Sequence, residues 1–228
     1  MKSLLVRACL AIALPALLFV PAGAQEPSPE ASKKIVAALQ PFVDRHTLAG
    51  AVVVVADKGG ILCQEAVGYS DIAAKKPMEP DAIFWIASQS KSITAAAFMM
   101  LLQEDRVQLD DPVEKFLPEF KDQVVMINGE RHKPRHPITV REILSHTSGL
   151  QFSTPAEKPT LDVLTLKEAA KSYAETPLLF EPGAKYQYSN AGINTAGRII
   201  EVVSGMPYED FLQKRVFDEV FPNLVDDR

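Results

Sequence analysis

The chain has 228 residues, enough for one large domain or a split one, and a net charge of −5 with acidic and basic residues mixed along its length. No basic face or run appears, which excludes nucleic-acid binding as a primary role. There is no internal repeat and no Gly-rich phosphate loop.

The first residues read as a targeting segment. Lys2 and Arg7 form a basic start, residues 8–20 are apolar with Pro15 among them, and Ala22-Gly23-Ala24 is a small-residue cleavage site. The apolar run is too short for a membrane span. The expectation is a signal peptide over 1–24, a mature chain from Gln25 to Arg228, export to the periplasm or medium, and no stable membrane insertion after cleavage. Cys9 lies inside the leader, so Cys63 is the one mature cysteine and forms no internal disulfide. Its simplest place is as a small buried residue of a strand.

Pro29 after Ser28 suits a helix start. Ile35, Val36, Leu39, Phe42 and Val43 then share one face, and Pro41 is expected to kink or end the helix. The Val-rich run 51–56 predicts a strand buried on both faces, residues 57–60 a turn, and 61–67 its partner strand.

Residues 88–104 predict a helix. Ala95, Ala96, Ala97, Met99, Leu101 and Leu102 are strong helix formers without Gly or Pro among them, and the segment is apolar on nearly every side, which predicts a buried central helix. At its start stand Ser88 and Lys91, spaced i and i+3 and therefore on one face. A serine hydroxyl needs an adjacent base to act as a nucleophile. An amine can be that base when its surroundings favour the neutral form, and free N–H groups at a helix start can hold an oxyanion. The competing reading is a helix cap at Ser88 followed by an exposed lysine, and Ser-x-x-Lys alone does not decide between them.

Asp105 is expected as a left-handed helix stop. Residues 124–127 before Asn128-Gly129 predict a small hairpin. His132 and His136 lie among Arg131, Lys133 and Arg135, a setting for a solvated loop and not for a metal site; no metal and no cofactor is expected. Thr139-x-x-Glu142 and Thr165-x-x-Glu168 are capping boxes opening two helices. Between them, Leu144-Ser145-His146-Thr147-Ser148-Gly149-Leu150 reads as a tight turn. His146 is an alternative base, ranked below a structural role because Lys91 is nearer to Ser88. After the Pro182-Gly183 turn comes Tyr188-Ser189-Asn190, then a helix over 191–204 with Gly205 as its cap, and a last helix to about Phe217. The plain reading of this loop is that Asn190 caps the helix and Tyr188 packs, unless the loop faces Ser88.

These stretches carry a resemblance. Ser88-Gln89-Ser90-Lys91, His146-Thr147-Ser148-Gly149-Leu150, Phe180-Glu181-Pro182-Gly183 and Tyr188-Ser189-Asn190 occur in the order seen in class C β-lactamase-like serine hydrolases, over about residues 50–217. The resemblance implies an α/β fold of the α+β type: an antiparallel sheet flanked by helices plus a helical region, as in β-lactamases and penicillin-binding-protein transpeptidases. It implies acylation of Ser88, proton transfer by Lys91 and Tyr188, substrate binding by Asn190, an oxyanion donor in the Ser88 N–H, and an ester, β-lactam or D-amino-acid peptide as substrate. The family's third motif, Lys or His then Thr or Ser then Gly, follows the Tyr-x-Asn stretch and is not found before Arg228. His146-Thr147-Ser148-Gly149 precedes Tyr188 and belongs to the helix turn. The expectation is therefore an incomplete N-terminal part of the domain, without the later strands and C-terminal helix. The rival expectation is a non-catalytic fragment or ligand-binding relative of the same fold.

Overall fold

The computed structural model describes residues 29–159 and 163–220. The expected leader and the stretch after Val220 lie outside the described residues. The chain divides into two compact units, the first reaching to Trp85 and the second starting at Ile86.

In the first unit, helix α1 (Pro29–Asp44) is followed by strands β1 (Gly50–Asp57), β2 (Gly60–Asp71) and the short β3 (Lys76–Pro77), in the order β1-β2-β3 with both pairings antiparallel. β1 and β2 pair from Gly50↔Gly68 to Asp57↔Gly60, with a bulge at Val55/Ala56. The Gly59 N–H donates to Asp57 Oδ1 at 2.6 Å and tightens the turn. α1 runs through Pro41 without ending there. Val43 is its buried contact, and Phe42, expected on the same face, is exposed. Cys63 is fully buried in β2 and is a free thiol, 3.4 Å from Ser32 Oγ.

β1 departs from expectation. It is not buried on both faces: Val54 is 53% exposed and no residue of the strand is fully buried. The reason is its place in the sheet. Among the described residues β1 pairs with β2 alone, so it is an edge strand.

The second unit holds one continuous apolar core. A 3₁₀ turn (Ala87–Gln89) leads into α2 (Ser90–Gln103). Then come hairpin β4 (Val125–Ile127) and β5 (Glu130–His132), α3 (Val140–Leu144), α4 (Leu166–Ala174), α5 (Asn190–Ser204) and α6 (Tyr208–Phe211). A π-helical stretch (Leu212–Phe217) continues α6 into α7 (Asp218–Val220).

α2 packs on α5. Thr94, Ala97, Phe98 and Leu101 form its buried stripe at i, i+3, i+4 and i+7, while Met99 is 42% exposed. The helix is thus buried along one face and not all round, because the described residues cover one side. Both expected capping boxes form: Thr139 Oγ1 accepts from Glu142 N–H while Thr139 N–H donates to Glu142 Oε2 at 2.8 Å, and Thr165 and Glu168 repeat the pattern. Asp105 (φ 55°), Asn128 (φ 52°) and Gly205 (φ 74°) take the left-handed conformations expected of them.

Candidate active site

The site is built within the second unit from three pieces: the 3₁₀ turn at the head of α2, the turn after α3, and the segment entering α5. Ala87 adopts φ 47°, a left-handed conformation that costs a non-glycine residue roughly 1–2 kcal/mol. Such strain is concentrated where a fold must present a side chain in a fixed direction, and the side chain that follows is Ser88. Ser88 sits in the 3₁₀ turn itself, not in the α-helix. In 3₁₀ geometry i and i+3 eclipse, and Lys91 Nζ donates to Ser88 Oγ at 3.2 Å. Ser88 is exposed. Its backbone N–H has no acceptor among the described residues.

The second piece is the turn that Gly149 allows (φ 81°); a side chain there would collide with the Phe180 carbonyl. Ser148 is buried and accepts from Leu150 N–H, and Ser145 shares a hydrogen bond with Thr147, so both rival serines are occupied in holding the turn. The chain from 179 to 190 is laced onto this turn. Leu179 N–H donates to Gly149 O, Gly183 N–H to Thr147 O and Gln187 N–H to His146 O, each at 2.8 Å, and Asn190 N–H to Phe152 O at 3.1 Å. Gly192 lets α5 approach α3, since a Cβ there would stand 2.7 Å from Ile143 O.

This lacing delivers Tyr188 to Ser88 and Lys91. Lys91 Nζ lies 4.9 Å from the centre of the Tyr188 ring. Interaction with the Ser88 hydroxyl first and the Lys91 amine second, together with the Lys91 charge, holds the Tyr188 phenol below its ordinary value of 10.0. A hydroxyl, an amine and an acidified phenol therefore meet at one exposed point. The arrangement can take a proton from the serine and return it to a leaving group.

Asn190 is not the helix cap. The cap is Ser189, whose hydroxyl accepts from Gly192 N–H at 3.2 Å and donates to Gln151 O at 2.6 Å. Asn190 is the first helical residue and is buried. His146 does not hydrogen-bond to Ser88; its Nδ1 accepts from Ser189 N–H at 3.2 Å. Burial first, and the Lys91 charge second, hold its imidazole below the ordinary 6.5. Among the described residues no cluster of His, Cys, Asp and Glu is suited to a metal ion.

Sequence reasoning missed Ala87, Phe152 and Tyr186. Phe152 lies beside Tyr188 with ring centres 6.2 Å apart, and Tyr186 stands edge-on to His146 at 5.8 Å. The period-2 spacing of Tyr186 and Tyr188 was the available signal, since alternate residues of an extended segment share a side.

The beta-lactamase family profile matches residues 35–220. The chain belongs to the beta-lactamase family. Within this family, it is similar to esterase EstB of Burkholderia gladioli, at 34% identity over 70% of this chain and 42% of that protein. It is also similar to penicillin-binding protein 4* of Bacillus subtilis, at 29% identity over 76% of this chain and 37% of that protein. Among solved structures it resembles EstCE1, described as a hydrolase with promiscuous acyltransferase activity, at TM-score 0.69 and 32% identity, covering 83% of this chain and 51% of the other. The chain thus spans about half, or less, of the length of these relatives. The chain has the antiparallel strands and the helices expected from the sequence motifs, and its structural neighbours are β-lactamase- and penicillin-binding-protein-like.

Proposed function

We propose that this beta-lactamase-family chain carries the nucleophile and proton-transfer groups of an exported serine hydrolase. The observation that carries the reading is the contact of Lys91 Nζ with Ser88 Oγ under the Tyr188 ring. Ser88 Oγ attacks an acyl carbon while its proton passes to the Lys91–Tyr188 pair, which reacts in the form that holds one proton fewer than ammonium and phenol together. The new oxyanion is held by N–H donors, of which the Ser88 N–H, without an acceptor among the described residues, is one. The phenol, acidified by its neighbours, protonates the leaving group as the acyl bond to it breaks. A water then attacks the acyl-Ser88 ester, gives its proton to the same pair, and releases the acid. Asn190 is the substrate-binding residue of this reading.

The substrate is an ester, a β-lactam or a D-amino-acid peptide. The exposed rings of Phe152 and Tyr186 around Tyr188 favour an ester with an apolar or aryl group, because such rings bind apolar surface and stack on aryl groups. In the full-length protein, Lys91→Ala and Tyr188→Phe are each expected to lower turnover of p-nitrophenyl acetate by about 10²–10⁴-fold. Lys91→Arg is expected not to rescue, since arginine stays protonated. A near-normal rate for Lys91→Arg would remove Lys91 as the base. Export predicts a mature chain beginning at Gln25, read by intact mass of the secreted protein; a chain still carrying residues 1–24 would contradict it.

A further inference from the structure

His146 is not the base, yet it is bound to three consecutive residues of the segment that presents Tyr188. Its carbonyl accepts from Gln187 N–H at 2.8 Å. Its ring Nδ1 accepts from Ser189 N–H at 3.2 Å. Between these two anchors its ring faces the Tyr188 ring, with centres 4.7 Å apart and planes tilted by 37°. In an extended segment the N–H groups of residues i and i+2 point the same way. One residue can therefore take both bonds on either side of Tyr188. His146 reaches this place because its backbone is left-handed (φ 60°), which turns its carbonyl and its ring toward the same segment.

The bond to Ser189 depends on the protonation of the ring. Nδ1 accepts only with its lone pair free, so the hydrogen-bond network assigns the neutral ring with its proton on Nε2. A proton on Nδ1 would set two donors against each other. We propose that His146 is a positioning residue, holding Tyr188 against Ser88 and Lys91 only while its ring is neutral.

The surroundings support the neutral form. The titratable groups facing the ring are Tyr186 and Tyr188 from the segment before α5 and Lys91 from α2, and the charged one is Lys91. Burial and the Lys91 charge both oppose a second cation, which places the folded-state value below 6.5. As pH falls below 6.5, the unfolded chain takes up this proton before the folded chain does, so stability is full above that pH and declines below it. Once the folded ring is protonated, the clamp opens and Tyr188 loses its register.

The consequence for rate rests on the hydrolase reading; the clamp itself does not. Two variants separate ring from backbone. His146→Asn tolerates φ > 0, offers Oδ1 where Nδ1 stood, and does not titrate. His146→Gly keeps the backbone free to adopt φ > 0 and removes the acceptor and the ring. With p-nitrophenyl acetate, kcat is expected to fall by about 10²-fold in His146→Gly, the scale of a misplaced reacting group, with KM changed far less. His146→Asn is expected to recover part of kcat and to lack the acid limb that the clamp predicts for wild type below 6.5. Independently of turnover, carbon-13 NMR of Tyr188 follows its phenol. Its titration, held below 10.0 in wild type, is expected to move up in His146→Gly and to stay down in His146→Asn.

Equal impairment of both variants, an acid limb unchanged in His146→Asn, or identical Tyr188 titrations in all three proteins would overturn the proposal. If wild type shows no Ser88-dependent turnover, the hydrolase reading fails and the Tyr188 titration decides the clamp alone. If His146→Gly does not melt cooperatively, wild type against His146→Asn decides it through the acid limb.

Discussion

The two units solve the problem of burial differently. In the first, the buried apolar residues among those described are Val43, Cys63 and Val67, while Val54, Val55, Ile61 and Ile72 are exposed. In the second, residues from every helix from α2 to α6 enter one core with Phe98, Leu101, Ile143, Tyr173, Ile199 and Phe211 at its centre. The candidate site belongs wholly to the second. The proposed proton transfer depends on distances held to fractions of an ångström, and a close-packed scaffold transmits that rigidity. As sequence, the Val-rich strand β1 and the apolar helix α2 carry the same signal, an uninterrupted apolar run. What separates them is how much of each the neighbouring elements cover.

That contrast gives a graded test. Phe98 is fully buried in α2, and Phe98→Ala is expected to cost about 3–5 kcal/mol in the urea or thermal transition. Val54 is half-exposed on an edge strand, and Val54→Thr is expected to stay within about 0.5 kcal/mol. Equal losses from the two substitutions would show that the Val54 face is covered in solution and would break the comparison.

Much of the local structure was legible because it is set by local chemistry. Ser88 and Lys91 needed only an i, i+3 spacing to meet. Asp105, Asn128-Gly129 and Gly205 declared themselves through the backbone conformations they tolerate, and Thr139 and Thr165 through reciprocal capping with Glu142 and Glu168. What failed depended on partners distant in sequence. The Val54 exposure follows from sheet position and the Met99 exposure from one-sided packing of α2, and neither is written in a hydrophobic pattern. The pattern points to Asn190 as the cap where Ser189 serves, because both residue types cap helices and they stand side by side. The role of His146 required its left-handed backbone and a bond to Ser189 across 43 residues of chain. No motif spacing reveals that, although the unused histidine in a Gly-terminated turn was visible.

The central claim is that Ser88 is the residue that becomes acylated. The direct measurement is to treat the full-length protein with a fluorophosphonate and map the adduct by mass spectrometry. The account predicts one covalent adduct on Ser88, absent from Ser88→Ala, since the contact with Lys91 and Tyr188 makes this hydroxyl the activated one. Labelling that survives Ser88→Ala, or an adduct mapped to Ser145 or Ser148, would contradict it.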